Sequence, residues 1–192
     1  MYTVNRNTRE TKVALSVSHP APSGSSHVSV GCGFLAHMLE LMAHRAKLCL
    51  EVEASGDAHV DAHHITEDVG IVFGMALKKM LSSTESPRSR YGWCLLPMDG
   101  SLARVALDLS GRGGLYWEGN FPTHRCGDFD LELVPEFFRA FCRESCSTLH
   151  IALITADNSH HAAEAVFKGF GIALDMGLAP SQIDPSTKGE WI

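Results

Sequence analysis

Two short stretches of this chain carry the same chemistry-bearing side chains at the same spacing: His63-His64-Ile65-Thr66-Glu67 and, 97 residues later, His160-His161-Ala162-Ala163-Glu164. Successive residues on a helix point ~100° apart, so the two imidazoles of each pair fan toward two places instead of sharing one small ion. Each glutamate follows the first histidine by four residues and the second by three, the spacing at which helical side chains are neighbours. Neutral imidazole and carboxylate suit divalent first-row cations, and the lack of a nearby thiolate argues against a soft centre. Six such ligands make one and a half tetrahedral sites. Two complete sites need further donors, and His37 and His150, each upstream of a His-His pair, are the candidates. Six histidines and two glutamates would then give two centres of three imidazoles and one carboxylate, with positions left open for a substrate.

A single His-His pair at a helix start is ordinarily cap or surface chemistry. Duplication changes that reading, because packing gives no reason to keep three polar residues in both copies. The repeat extends beyond the motif: residues 63–77 and 160–174 are identical at eight of fifteen positions, and Val13-Ala-Leu-Ser-Val-Ser18 echoes Val105-Ala-Leu-Asp-Leu-Ser110. The other histidines, His19, His27, His44, His59 and His124, lie in turns, strand edges or helix ends and are read as solvated or structural.

Positioning these ligands requires the same elements twice. Alternating or β-branched runs predict strands over 2–8, 12–18 and 27–31, broken by Pro20, Pro22 and Gly24. An apolar stripe from Phe34 to Arg45 predicts a helix, followed by a strand over 48–52 and a helix over 61–81 with Asp61 as its N-cap. The second half predicts strands near 92–97, 102–109 and 114–121, a helix over 131–145, a strand over 148–154 and a helix over 160–176. The fold class is α+β: two duplicated βααβ-type half-domains, each in the order βββαβα, with sheets packed on helices as in the ribosomal protein S5 domain 2-like folds. Residues 1–192 form a single domain of two repeats, about 1–86 and 87–192, because the stretch Ser82–Pro87 is too short to separate independent domains.

The 192 residues, 45% hydrophobic, suffice for a buried core, and a formal charge of −6 shows no basic footprint for nucleic acid. No stretch is apolar enough for a membrane span or a secretory leader, and the six cysteines contain no Cys-x-x-Cys pair. The chain is read as soluble and cytoplasmic with reduced thiols.

In order along nearly the whole chain, Gly33-Phe-Leu-Ala-His37-Met-Leu39, Gly56-Asp57, Asp61 through Asp68, Arg90-Tyr-Gly92, Pro97-Met-Asp99, Asp108-Leu-Ser-Gly-Arg112, His160 through Lys168 and Pro185-Ser-Thr-Lys-Gly189 closely resemble the imidazoleglycerol-phosphate dehydratase family. The resemblance implies dehydration of D-erythro-imidazole glycerol phosphate to imidazole acetol phosphate in histidine biosynthesis, through a two-manganese-stabilised imidazolate and a diazafulvene-like intermediate. It implies two Mn2+ per active site, held by His37, His63, His64, Glu67, His150, His160, His161 and Glu164. Glu10 becomes the catalytic carboxylate, with Glu67 as second candidate; Arg90, Arg112, Ser186, Thr187 and Lys188, together with Glu10, become substrate-binding residues. It further implies a homo-oligomer of roughly 24 subunits with active sites between protomers. Two departures stand out: Ala36 replaces an acidic residue frequent before the metal-binding histidine, and Arg45-Ala46 replaces a frequent His-Gly. A dinuclear metal hydrolase could use the same ligands, and a non-enzymatic metal-binding protein would explain the histidines, though not the arginines and Lys188.

Overall fold

The computed structural model describes residues 1–21, 26–83 and 86–182. The first half runs β1 (Tyr2–Asn7), β2 (Thr11–Ser18), β3 (His27–Ser29), α1 (Gly33–Arg45), β4 (Cys49–Gly56) and α2 (His63–Ser82). The second runs β5 (Tyr91–Met98), β6 (Ser101–Asp108), β7 (Gly114–Glu118), a hairpin of β8 (Arg125–Cys126) and β9 (Phe129–Asp130), α3 (Leu133–Ser145), β10 (Thr148–Thr155) and α4 (Ser159–Leu178). The expected order βββαβα holds in both halves, with one correction. The β8–β9 hairpin lies in the stretch between the expected strand over 114–121 and the expected helix over 131–145, where no element was expected, and strands of two residues are too short for alternation to reveal.

Both sheets are threaded identically. Their strand orders are β1-β2-β4-β3 and β5-β6-β10-β7, so in each the fourth strand of the half sits between its second and third. β3 pairs in parallel with β4, and β7 with β10, while the other neighbours are antiparallel. Parallel neighbours need a crossover connection, which α1 supplies in the first half and α3 in the second. β2 shows the two-residue period that seats a sheet on a core: Thr11, Val13, Leu15 and Val17 are buried, while Lys12 and Ala14 are exposed.

The second sequence echo is two residues out of register with this threading. The ladders pair Val17 with Leu50 and Leu107 with Leu149, which makes Val17 the counterpart of Leu107, whereas the echo sets Val13 against Val105. A slip of two keeps every side chain on its own face, so an alternating pattern alone cannot exclude it.

The halves interlock through their helices. α2 lies on β1 and β2 and packs against α3; α4 lies on β5 and β6 and packs against α1. Each contact is made close by a glycine. A methyl group on Gly74 of α2 would stand 2.6 Å from the Phe141 carbonyl oxygen of α3, and one on Gly171 of α4 would stand 2.5 Å from that of Met42 of α1. The two helix pairs are thus related by an approximate two-fold, and the core between them is aromatic on one side, with Phe73 on Phe141 at 5.0 Å and Phe138 on Phe167 and Phe170 at 5.0 and 5.1 Å. No helix among the described residues is long and apolar enough to cross a membrane.

Candidate active site

Both His-His-x-x-Glu motifs open a helix, as their spacing requires. At α4 the cap is Asn158, whose side chain accepts from the His161 amide; at α2 the capping position is Ala62, one residue later than expected, and Asp61 Oδ1 accepts from the His63 amide at 2.7 Å. Each start is held against the strand turn of its own sheet. Thr11 on β2 donates to the buried Asp68 of α2, and Ser101 on β6 donates to Asp157 Oδ1 at 2.8 Å just ahead of α4.

Among the described residues, one group of three possible metal ligands converges: His37, His160 and Glu164, whose ligand atoms all lie within 4.8 Å of one another. His37 comes from α1 in the first half and the other two from α4 in the second, so the α1–α4 packing builds the group. Nε2 of His37 and of His160 lie 3.1 and 3.2 Å from Glu164 Oε1, and the two rings are 5.8 Å apart. Phe34, one turn before His37, meets the edge of the His160 ring at 5.4 Å and covers that side.

Glu164 is nearly buried, and burial works against its charged form. Hydrogen bonds from Lys168, His37 and His160, with the charge of Lys168, outweigh that cost and hold its carboxyl down to about 2. Lys168 Nζ donates to Glu164 Oε2 at 2.6 Å. The sequence reading did not assign Lys168 a role, although its position four residues after Glu164 carried the signal.

The first-half motif is arranged differently. The His63 and His64 rings stand edge to face at 5.9 Å. His64 Nδ1 lies 2.9 Å from Asp57 Oδ2, and its Nε2 is 3.9 Å from Glu10 Oε2 on the β1–β2 turn. The hydrogen bond to Asp57 raises the His64 pKa from its ordinary value and lowers that of Asp57. Glu67 turns to Arg143 of α3, Oε1 to Nη2 3.4 Å. In the other half His161 Nδ1 faces Asp99 Oδ2 at 3.4 Å, and Asp99 occupies the β5–β6 turn as Glu10 occupies the β1–β2 turn. His150 is not drawn into either group. It stands on the outer face of its sheet, stacked on Tyr116 at 4.4 Å.

Asp108 gathers two of the expected phosphate ligands. Arg90 Nε and Nη2 donate to its two carboxylate oxygens at 2.6 and 3.1 Å, and Arg112 Nη2 lies 3.8 Å from Oδ2. That bidentate grip raises the Arg90 pKa further and fixes the plane of its guanidinium. Ser186, Thr187 and Lys188 lie outside the described residues. The chain leads toward them from Ser181, whose amide donates to the Pro87 carbonyl, and from Pro180, bridged to Arg88, so it departs beside Arg90.

The family model described as imidazoleglycerol-phosphate dehydratase matches residues 30–174. The imidazoleglycerol-phosphate dehydratase of Xanthobacter autotrophicus is 49% identical over 185 residues, covering 96% of this chain and 91% of that protein. The enzyme of the same name from Hydrogenovibrio crunogenus is 44% identical over 191 residues, covering 97% of each. Among solved structures, imidazoleglycerol-phosphate dehydratase from Staphylococcus aureus superposes with a TM-score of 0.83 at 40% identity, covering 94% of this chain and 99% of that one. The Pyrococcus furiosus protein, solved in complex with (S)-C348, gives 0.84 at 31% identity, covering 97% and 99%. With this coverage, the same twice-threaded sheet and the clustered His and Glu side chains, the chain belongs to the imidazoleglycerol-phosphate dehydratase family of hydro-lyases.

Proposed function

We propose that this protein dehydrates imidazole glycerol phosphate to imidazole acetol phosphate in histidine biosynthesis, as a metal-dependent enzyme whose residues 1–192 act as one domain of two repeats. The observation that carries this reading is the convergence of His37, His160 and Glu164 from two halves of the chain. Two imidazoles and a carboxylate kept ionised beside Lys168 fit a divalent first-row cation such as Mn2+. His37, His160 and Glu164 would hold one cation, and His63 and Glu67 belong to a second centre at the start of α2, with His64 and His161 fanned toward neighbouring sites. When bound, the cations supply Lewis-acid and template action on the imidazole ring.

The protein's own groups do the rest. The hydroxyl leaves from the carbon beside the ring and Glu10 Oε2 takes the proton from the adjacent carbon, so that hydroxide and proton depart as water and the enol left behind tautomerises to the ketone. The exposure of Glu10 and its approach to His64 leave it open to a substrate seated there. Asp57 fixes the ring of His64 through Nδ1. Arg90 and Arg112 hold the phosphate, oriented by Asp108; Ser186, Thr187 and Lys188, which the family resemblance assigns to the same group, lie outside the described residues.

One chain does not hold a complete site. The Arg90 amide donates to the Gly177 carbonyl near the end of α4, whereas His160 lies at its start. At 1.5 Å per residue, those points are about 25 Å apart, much farther than one glycerol phosphate ester reaches. Assembly supplies the missing partner, and the outer face of the second sheet suits one. Trp93, Ala106, His150 and Tyr116 form a row across it, flanked by exposed Leu95, whereas the first sheet shows Lys12, Glu51 and Glu53 to solvent. The exposed Arg104–Glu118 pair borders this row on the same face, and an exposed aromatic row with a charged edge suits an interface. The assembly is a homo-oligomer of this chain, in the range of 24 subunits.

Incubating the Mn2+-loaded protein with imidazole glycerol phosphate should yield the acetol phosphate, from a species much larger than the 20.9 kDa chain. Metal-replete, assembled protein that makes no ketone product overturns the reading. Arg90→Lys should separate binding from chemistry, since an ammonium cannot reproduce the two-pronged guanidinium contact. The expected result is a KM raised about 10-fold, the equivalent of ~1.4 kcal/mol, with kcat nearly unchanged and metal content intact. Steady-state kinetics with metal analysis checks it, and an unaltered KM removes Arg90 from the phosphate site.

A further inference from the structure

The turn that carries Glu10 is fastened by a chain of hydrogen bonds that leads into the core. Thr8 Oγ1 accepts from the Glu10 amide at 3.1 Å and from the Thr11 amide at 2.9 Å, and the Thr8 amide donates to the Thr11 carbonyl at 2.9 Å. The Thr8 and Thr11 hydroxyls lie 3.1 Å apart. A hydroxyl has one hydrogen to give, and Thr11 gives its own to Asp68 Oδ2, which as a carboxylate oxygen only accepts. Thr8 is therefore the donor between the two hydroxyls, with the Thr11 carbonyl as a longer alternative acceptor at 3.4 Å. The bonds run one way: Glu10 amide to Thr8, Thr8 to Thr11, Thr11 to Asp68. Arg6 Nε closes the far end, 2.9 Å from Asp68 Oδ1. Thr11 and Asp68 are both buried, and Asp68 follows Glu67 directly on α2, so the relay ends in the interior beside the motif. Bonds in such a chain polarise one another.

Gly56 adds a second constraint. A methyl group there would stand 2.9 Å from the Glu10 carbonyl oxygen and 3.0 Å from both Ile65 Cγ1 and Thr11 Cγ2. The turn is thus wedged between the end of β4 and the first turn of α2, which also presents His63 and His64. We propose that Thr11, fixed by Asp68, is a positioning residue that sets where the Glu10 carboxylate stands. The inference rests on the reading of Glu10 as the base. The Glu10 side chain stands out to solvent, 3.9 Å from His64 Nε2, so the backbone beneath it has to fix its place. A base must lie within hydrogen-bond reach of its proton, and a displacement of about 1 Å can cost about 100-fold in rate. The β5–β6 turn, Asp99-Gly100, is one residue shorter than Thr8-Arg9-Glu10 and contains no hydroxyl, so the relay belongs to the half that carries the base.

Thr11→Val removes the hydroxyl and keeps the shape. In the assembled, Mn2+-loaded protein it should lower kcat about 100-fold with KM and bound Mn2+ unchanged, whereas Thr11→Ser, which keeps the hydroxyl, should keep most of the activity. Thr8→Ala alters a half-buried turn residue outside the core and should lower kcat in the same way without threatening the fold. Glu10→Gln supplies the test background. A residue that acts only through Glu10 has nothing left to position there, so Thr11→Val should cost no further activity. Single turnovers at high enzyme concentration reach the residual rates. A purely structural role would cost the same factor in both backgrounds, since independent effects add, and that result overturns the proposal. So does an unchanged kcat in Thr11→Val and Thr8→Ala beside a Glu10→Gln that has lost turnover; the reading of Glu10 as the base then stands without it. If Glu10→Gln turns over like the wild type, Glu10 is not the base and both readings fall.

Discussion

Gly92→Ala should destabilise the protein more than any other single-methyl change in its sheets. Gly92 lies in β5 directly under α4, and an added methyl would sit 1.8 Å from the Ala173 carbonyl oxygen and 2.7 Å from its carbon. The obstacle is backbone inside a helix, so no side chain can turn away to relieve it. Strand and helix must separate along the contact that seats α4 on its sheet. Overpacking commonly costs about 1–3 kcal/mol, and the absence of any soft neighbour places this case at or above about 3. For a domain of this size that is a fall in Tm of roughly 10 °C. Gly114→Ala is the control, because its nearest neighbour is the Tyr116 ring at 3.6 Å, an ordinary contact. Urea unfolding of both variants beside the wild type checks the claim. Equal midpoints for the two would mean that β5 and α4 are not held this closely. The effect should reach the site as well, because Arg90 is two residues away and its amide is tied to the end of the same helix.

The same glycine shows what was legible in the sequence and what was not. Arg90-Tyr-Gly92 was visible as part of a family pattern, and composition gave no reason for its glycine; the close helix supplies one. Element order was readable because strands such as β2, β4 and β6 alternate and each crossover helix carries an apolar stripe, two signals that depend on neighbours within a few residues. Equivalences between the halves were less readable, because the connections differ in length. The His-His motifs are offset by 97 residues, whereas the crossover helices α1 and α3 are offset by 99, as Met42 and Phe141 show. His150 was read as a ligand because, like His37, it lies upstream of a His-His pair, but the structure sets it on an outer sheet face against Tyr116. The meeting of His37 with Glu164 was likewise only half visible. Spacing joined His160 to Glu164 within one helix, but a contact between helices 127 residues apart in sequence depends on packing. Asp108 was quoted as part of a motif without a task, and its grip on Arg90 emerges only when the ends of β5 and β6 are paired.

Glu164→Gln should abolish turnover while leaving the fold in place. The side chain keeps its size and can still accept from His37 and His160, so any change reflects the lost charge. That charge is what makes the group a cation site; burial opposes it, but the hydrogen bonds from Lys168, His37 and His160 and the Lys168 charge keep it present even in acid, with the carboxyl held at about 2. With glutamine there, the Lys168 ammonium, itself largely buried, has lost its carboxylate and repels an incoming divalent ion. Loss of Lewis-acid action is worth several kcal/mol of barrier, so kcat should fall by about 1000-fold or more. Breaking the Glu164–Lys168 pair will also lower stability, and that cost must be separated from the loss of metal. The double variant Glu164→Gln with Lys168→Met removes the stranded ammonium and should recover much of the lost Tm without recovering Mn2+ uptake or activity. Thermal unfolding of the metal-free proteins, paired with Mn2+ titration, reads both effects. Should the double variant regain metal and turnover together, Glu164 serves only to neutralise Lys168, and the converged group is a structural ion pair with two histidines attached.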